Sequence, residues 1–167
     1  MDGDVSPVDQ LVDLAQRHDS WLLTDDAHGL GITGFKTQFP NLIQIGTLSK
    51  ALASYGGYLA ASKEVCEFII TKSRSLRYST ALPACNIAAS LAALDILIDS
   101  PDIGKRLINA AERFCRNNKL VFCGSQIVTK KYKSILDAEN YYNKLLQKQI
   151  LAAFIRPPTS PMPLLRF

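Results

Sequence analysis

The stretch NLIQIGTLSKALASYGGYLAAS, Asn41 to Ser62, decides how this chain is read. It opens on a short apolar run, NLIQIG, with the length and bounding residues of a buried strand. It closes on a second run, GGYLAAS. Between them lie small residues, Gly46, Ser49, Ala51, Ala53 and Ser54, and one lysine, Lys50. A lysine there has two explanations. Either it opens a helix and snorkels to water, or it is a desolvated amine set at a strand's carboxyl end to attack a carbonyl. The small neighbours favour the second, because they leave room beside the amine for something bulky. Thr47 and Ser49 add hydroxyls and N–H groups suited to a phosphate at a helix start.

Upstream, SWLLTDDAHGLG, Ser20 to Gly31, repeats the arrangement. SWLLT reads as a buried strand, and Asp25 and Asp26 follow at its carboxyl end, where α/β sheets bind ligands. Adjacent acids point in different directions, so at most one faces a site. His28 lies three residues past Asp25, and Gly29 and Gly31 permit a sharp turn or a close ligand approach. Alone, D-D-A-H is evenly balanced between such a site and an Asx turn beside a surface histidine. A third ligand suited to zinc is not evident, and no metal site is expected. Taken together, a carboxylate, an imidazole, a lysine and a hydroxyl-rich turn suggest pyridoxal 5′-phosphate. That group needs a lysine at its aldehyde and an acid at its pyridine nitrogen.

The remaining pattern frames these segments. Ser6-Pro7 is a helix start with a capping hydroxyl and proline in the first turn, and Val8, Leu11, Val12 and Ala15 fall on one face after it. Helices are predicted over 63–76, 86–98, 102–117 and 137–149. KLVFCGSQIVT and ILAAFI read as strands, and PMPLLRF as the beginning of another. Strands alternating with helices mean α/β, with parallel buried strands early in the chain. A linker is expected near Ser100–Asp102, where a long helix meets Pro101.

Composition sets outer bounds. With 47% apolar and 20% charged residues, the 167-residue chain has a globular composition. A net charge of +4 is too small and scattered for a nucleic-acid partner, and TKKYK reads as a solvated turn. No apolar run reaches membrane-spanning length. The four cysteines, Cys66, Cys85, Cys115 and Cys123, form no C-x-x-C pair; three read as small core residues, and a reducing, cytoplasmic setting is expected.

In this order, DDAHGLG, GTLSKALASYGGYLAAS, LRYSTALP and IRPPTSP resemble the α-oxoamine synthases, members of the fold-type I pyridoxal-phosphate enzymes. The likeness runs from Met1 to about Pro101 and again from about Asp137 to Phe167, and FIRPPTSP is its most discriminating element. It implies an α/β fold: residues 1–101 as the carboxyl-side portion of a cofactor-binding large domain, a mostly parallel sheet with flanking helices, and 102–167 as an incomplete α+β small domain. It implies that Lys50 carries the cofactor and moves the Cα proton, that Asp25 pairs with the pyridine nitrogen, that His28 bonds the ring hydroxyl, and that Thr47 binds the phosphate. Arg156 would hold the amino acid's carboxylate, and Thr159 would touch substrate nearby. Ser79 and Thr80 would reach the cofactor of a neighbouring subunit in a homodimer, although a helix cap before LPACN explains Thr80 as well. Tyr55 and Tyr78 are expected to pack rather than react. The implied reaction is a decarboxylative condensation of L-alanine with a pimeloyl thioester, carried on coenzyme A or an acyl-carrier protein, in biotin biosynthesis. The alternatives are a relative using glycine and an acyl-CoA, or a non-catalytic remnant acting through protein association.

The chain departs from the family pattern in four places. The part preceding MDGD is absent, so Met1 is expected to be a late or false start, or the chain to come from a broken gene. GITGFKTQFPN lacks the usual glycine- and arginine-rich loop, the segment from Phe114 to Ser134 is short, and the last strand and helix are missing. A cofactor left open on one side would be wet, which weakens the charge pairing its chemistry relies on. The isolated chain is therefore expected to be poorly stable, with little or no synthase activity.

Overall fold

The structure, a computed structural model, describes residues 2–34 and 39–167. The chain divides into two units: Ser6–Gly104, and Lys105–Phe167 together with the N-terminal residues up to Val5.

In the first unit the order is α1 (Val8–Arg17), β1 (Leu22–Asp25), β2 (Leu42–Thr47), β3 (Gly57–Ala60), α2 (Lys63–Lys72), α3 (Arg74–Arg77) and α4 (Ala84–Asp99). Helix α1 buries Val12 and Ala15, two of the four residues expected on its inner face. Its cap differs from expectation: Pro7 occupies the N-cap with no side-chain bond, and it is the Ser6 carbonyl that accepts from Val8 N, at 2.8 Å. The helix begins a residue late for the Ser6 hydroxyl to serve. At α2 the hydroxyl cap is present, with Ser62 Oγ accepting from Val65 N.

The sheet order is β1-β2-β3. Strands β1 and β2 are parallel, with Asp25 opposite Ile45, whereas β3 runs antiparallel to β2, with Thr47 opposite Gly57. The expectation of parallel strands thus holds for one pairing of the two. The reason is length: a parallel return needs a crossover of about a dozen residues, and the link from β2 to β3 is too short and has no helix. The strands are also less buried than SWLLT suggested. Along β1 half-buried residues alternate with exposed ones, and Leu23 is 62% exposed. No residue of α2 is buried, and α4 buries Ser90 alone.

The second unit contains α5 (Ile103–Asn118, counted from Lys105), β4 (Thr129–Lys131), α6 (Ile135–Gln147), β5 (Ala153–Ile155) and β6 (Leu164–Arg166). Its antiparallel sheet has the order β4-β6-β5. Ala111 and Cys115 of α5 pack with Val128, joined by Leu120, Phe122 and Phe167, while Leu165 and Ala138 are fully buried. The strand expected over KLVFCGSQIVT shrinks to Thr129–Lys131, at the very end of that stretch. Gly124 takes φ +87°, and Ser125 Oγ turns back to the Gly3 carbonyl at 2.7 Å, so the segment before β4 is irregular. All four cysteines are free; Cys115 is buried and Cys85 exposed. Among the described residues no single helix is long and apolar enough to cross a membrane, and no group of three or more His, Cys, Asp and Glu could hold a metal ion.

Candidate functional site

Strand β1 ends at Asp25, and alternation along the strand decides where the two acids go. Asp25 is exposed and Asp26 is buried. The Asp25 carboxylate accepts from Ala27 N at 2.9 Å, an Asx turn. Asp26 turns to the other side of the sheet, where it is 8% exposed and accepts from Gln44 Nε2 at 2.9 Å. Burial holds its carboxyl above the usual carboxylate range; the Gln44 bond opposes the rise, and the neighbouring Asp25 charge adds to it. The peptide N–H of Asp26 donates to the Ile45 carbonyl at 2.7 Å, continuing the β1–β2 ladder into the turn.

Cross-strand partners share a face. Asp25 pairs with Ile45, and Thr47 lies two residues further along β2, so Asp25 and Thr47 share one face at the carboxyl ends of two parallel strands. On strand spacing and rise they stand about 8 Å apart. Thr24, Gln44, Gly46 and Tyr58 occupy the opposite face. There the Tyr58 ring lies on Gly46, where a Cβ would collide with it. The Tyr58 hydroxyl and Thr24 Oγ1 are buried without a partner among the described residues. Burial pushes the Tyr58 phenol up, with the charges of Asp26 and then Asp25 adding.

After Thr47 the chain enters a closed loop, not the helix start expected there. Leu48 N donates to the Gly56 carbonyl at 2.9 Å, Ser54 N to the Leu48 carbonyl at 2.9 Å, and Ala53 N to the Lys50 carbonyl at 3.0 Å. Ala53 sits at φ +48° and Gly56 at φ +115°, so the loop closes through left-handed backbone. Leu52 is 2% exposed and anchors it, and Ser54 Oγ ties it to the Asn86 carbonyl of α4 at 2.7 Å. The Thr47 hydroxyl accepts from Ser49 N, donates to the Gly56 carbonyl at 3.0 Å and lies 2.7 Å from Ser49 Oγ. Lys50 is exposed on this loop, and its ammonium makes no ion pair among the described residues. His28, half-buried, lies in the turn after Asp25.

The structure therefore brings Asp25, His28, Thr47 and Lys50 to the carboxyl edge of β1 and β2, all within the first unit. The donor set fits an aromatic group with a basic ring nitrogen, an aldehyde and a phosphate. Among the described residues Asp25 keeps acceptor capacity beyond its bond to Ala27 and the Lys50 amine makes no ion pair, and Thr47 and Ser49 present two hydroxyls side by side.

Other expected residues lie apart in the chain. Ser79 and Thr80 are exposed in the turn before α4; Ser79 Oγ donates to the Leu76 carbonyl at 3.4 Å. Thr80 is not the helix cap, because Pro83 occupies that position with no side-chain bond. Tyr55 and Tyr78 do not pack in this chain: they are 66% and 76% exposed. Arg156 and Thr159 belong to the second unit, and both are exposed. The Arg156 guanidinium lies 5.2 Å over the Phe154 ring, which stacks on Tyr142 at 5.7 Å. The expectation about GITGFKTQFPN falls partly on 35–38, outside the described residues. Gln44 and Tyr58 escaped the sequence reading, and Asp26 entered it only as one of two adjacent acids. Their one signal is the period of two, which puts 24, 26, 44 and 58 on a single face once the register is known.

The model of the aminotransferase class I and II family matches residues 1–160. An 8-amino-7-oxononanoate synthase of Maricaulis maris (strain MCS10) is 41% identical over 169 residues, covering 96% of this chain and 43% of that protein. The chain thus spans less than half the length of the curated relatives it matches. The crystal structure of 8-amino-7-oxononanoate synthase from Francisella tularensis superposes with a TM-score of 0.76 at 27% identity, over 95% of this chain and 51% of that one. Serine palmitoyltransferase of Sphingomonas wittichii shares the fold with a TM-score of 0.88 at 23% identity, over 99% of this chain and 46% of its own.

Proposed function

Because this chain belongs to the aminotransferase class I and II family, we propose that it carries part of a pyridoxal-phosphate-dependent acyltransferase that condenses L-alanine with a pimeloyl thioester to give 8-amino-7-oxononanoate, with loss of carbon dioxide. The observation that carries this reading is the shared face of Asp25 and Thr47, with Lys50 making no ion pair among the described residues on the loop that follows. Relatives named 8-amino-7-oxononanoate synthase at 41% identity support the choice of substrates.

When bound, pyridoxal 5′-phosphate supplies an electron sink for a carbanion beside the amino acid's nitrogen. The chain's own residues then have distinct tasks. Lys50 anchors the group through its amine and moves the proton at the substrate Cα. Asp25 keeps the pyridine nitrogen protonated, and its exposed carboxylate is free to do so. His28 bonds the ring hydroxyl. Thr47, exchanging its bond to the Gly56 carbonyl, holds the phosphate. Arg156 grips the substrate carboxylate with a planar fork suited to it, Phe154 backs that fork, and Thr159 touches substrate nearby. Ser79 and Thr80, both exposed, reach the site of a second subunit in a homodimer. In this reading 1–101 belongs to the large cofactor-binding domain and 102–167 to the small domain. The acyl donor is pimeloyl-CoA or pimeloyl-acyl-carrier protein, the setting is cytoplasmic, and synthase activity of this chain alone is impaired.

Borohydride reduction in the presence of pyridoxal 5′-phosphate, followed by peptide mapping, tests the assignment. A single reduced label on Lys50, lost in Lys50→Ala, is expected. Labelling spread over surface lysines would refute it. Adding L-alanine or glycine to the unreduced chain loaded with pyridoxal 5′-phosphate and following the absorbance separates the two amino-acid substrates.

A further inference from the structure

We propose that Asp26 is a positioning residue for its neighbour: bonded to Gln44 on the opposite face of the sheet, it fixes the turn that aims the Asp25 carboxylate at the ligand face. The inference rests on the reading of Asp25 given above. Asp25 itself has little to hold it, since among the described residues its side chain bonds only Ala27 N in the same turn. Asp26 holds that turn at several points. Its carboxylate accepts from Gln44 Nε2 at 2.9 Å, tying it to the middle of β2. Its N–H donates to the Ile45 carbonyl, and its own carbonyl accepts from Gly29 N at 3.0 Å and Leu30 N at 3.2 Å. The chain folds closely over the acid. A Cβ at Gly29 would collide with Asp26 Oδ1, and one at Gly34 would lie 3.5 Å from Oδ2. The collision at Gly29 accounts for that glycine by packing rather than by contact with a ligand. The contacts of Asp26 also explain why two acids stand together: one is spent on geometry so that the other keeps its lone pairs.

Backbone hydrogen exchange on the full chain tests this without any ligand. In Asp26→Ala the Ala27, Gly29 and Leu30 amides should exchange about tenfold faster, as expected for loss of roughly one hydrogen bond's worth of local stability, while the β1–β2 ladder amides keep their protection. Added pyridoxal 5′-phosphate should bind about tenfold more weakly to this variant, and its pyridine nitrogen-15 resonance should move away from the protonated position. Asp26→Asn keeps an acceptor oxygen in place and should restore both signals. Unchanged protection at Ala27 in Asp26→Ala overturns the proposal. If that variant does not fold, Gln44→Met, which removes the donor and leaves the acid, is read by the same criterion. A chain that takes up no pyridoxal 5′-phosphate, yet shows the loosened turn, overturns the cofactor reading and leaves the positioning effect standing.

Discussion

At the residue scale the two acids of DDAH show how far a motif can be read. That only one could face a ligand was legible, because consecutive side chains leave a strand on opposite sides. Alternation sends Asp26 to the face of Gln44, a residue eighteen positions away that only the β1–β2 register brings alongside. The buried acid also has a thermodynamic signature. Its carboxyl is held above the ordinary value of 3.8, so its contribution to stability is complete below that value and is lost as pH rises through the folded-state titration. The native chain should lose stability over that interval. Asp26→Asn, which cannot ionise, should lose less, and should therefore gain on the native chain at neutral pH. Urea midpoints of both chains, measured from pH 4 to pH 7, check the sign; a larger loss in the variant would contradict it.

At the element scale, periodicity located most helices and strands, because apolar spacing and caps are local properties; the single helix expected over 63–76 breaks at Ser73 into α2 and the short α3. Ser134 is the clearest case. Its hydroxyl accepts from Asp137 N at 3.1 Å and donates to Asp137 Oδ2 at 2.7 Å, starting α6 ahead of its expected first residue. Ser134→Ala should destabilise the second unit by about 1 kcal/mol, seen as a lower thermal midpoint, and Ser134→Asp should recover most of it. What periodicity missed was set at longer range. The antiparallel β3 follows from the closed loop of Lys50, pinned by the Leu48–Gly56 and Ser54–Asn86 bonds. The irregular run before β4 follows from Gly124 and from the bond between Ser125 and Gly3, residues more than a hundred positions apart in sequence.

At the scale of the molecule, each unit is small and leaves much apolar surface bare. Leu151 is 81% exposed, Val121 78%, Ile98 74% and Leu23 62%. Exposed apolar surface at this level favours self-association, and the chain spans 43% of the Maricaulis maris relative. The isolated chain should bind anilinonaphthalene sulfonate in its native state, elute from a sizing column larger than a monomer, and form little or no 8-amino-7-oxononanoate. A monomeric, dye-silent, active chain would contradict all three expectations. The first unit contains six of the expected site residues, of which Asp25, His28, Thr47 and Lys50 could be read from the sequence between residues 25 and 50; Arg156 and Thr159 were legible only by resemblance, since an arginine before two prolines has an ordinary surface explanation. One exposed side chain has an optical consequence. Trp21, the single tryptophan, is 58% exposed and lines an open groove with Pro40, Val65 and Phe68. At that exposure its emission should be that of a wet indole, so melting the chain should barely shift its colour, whereas any polypeptide that roofs the groove should turn it blue.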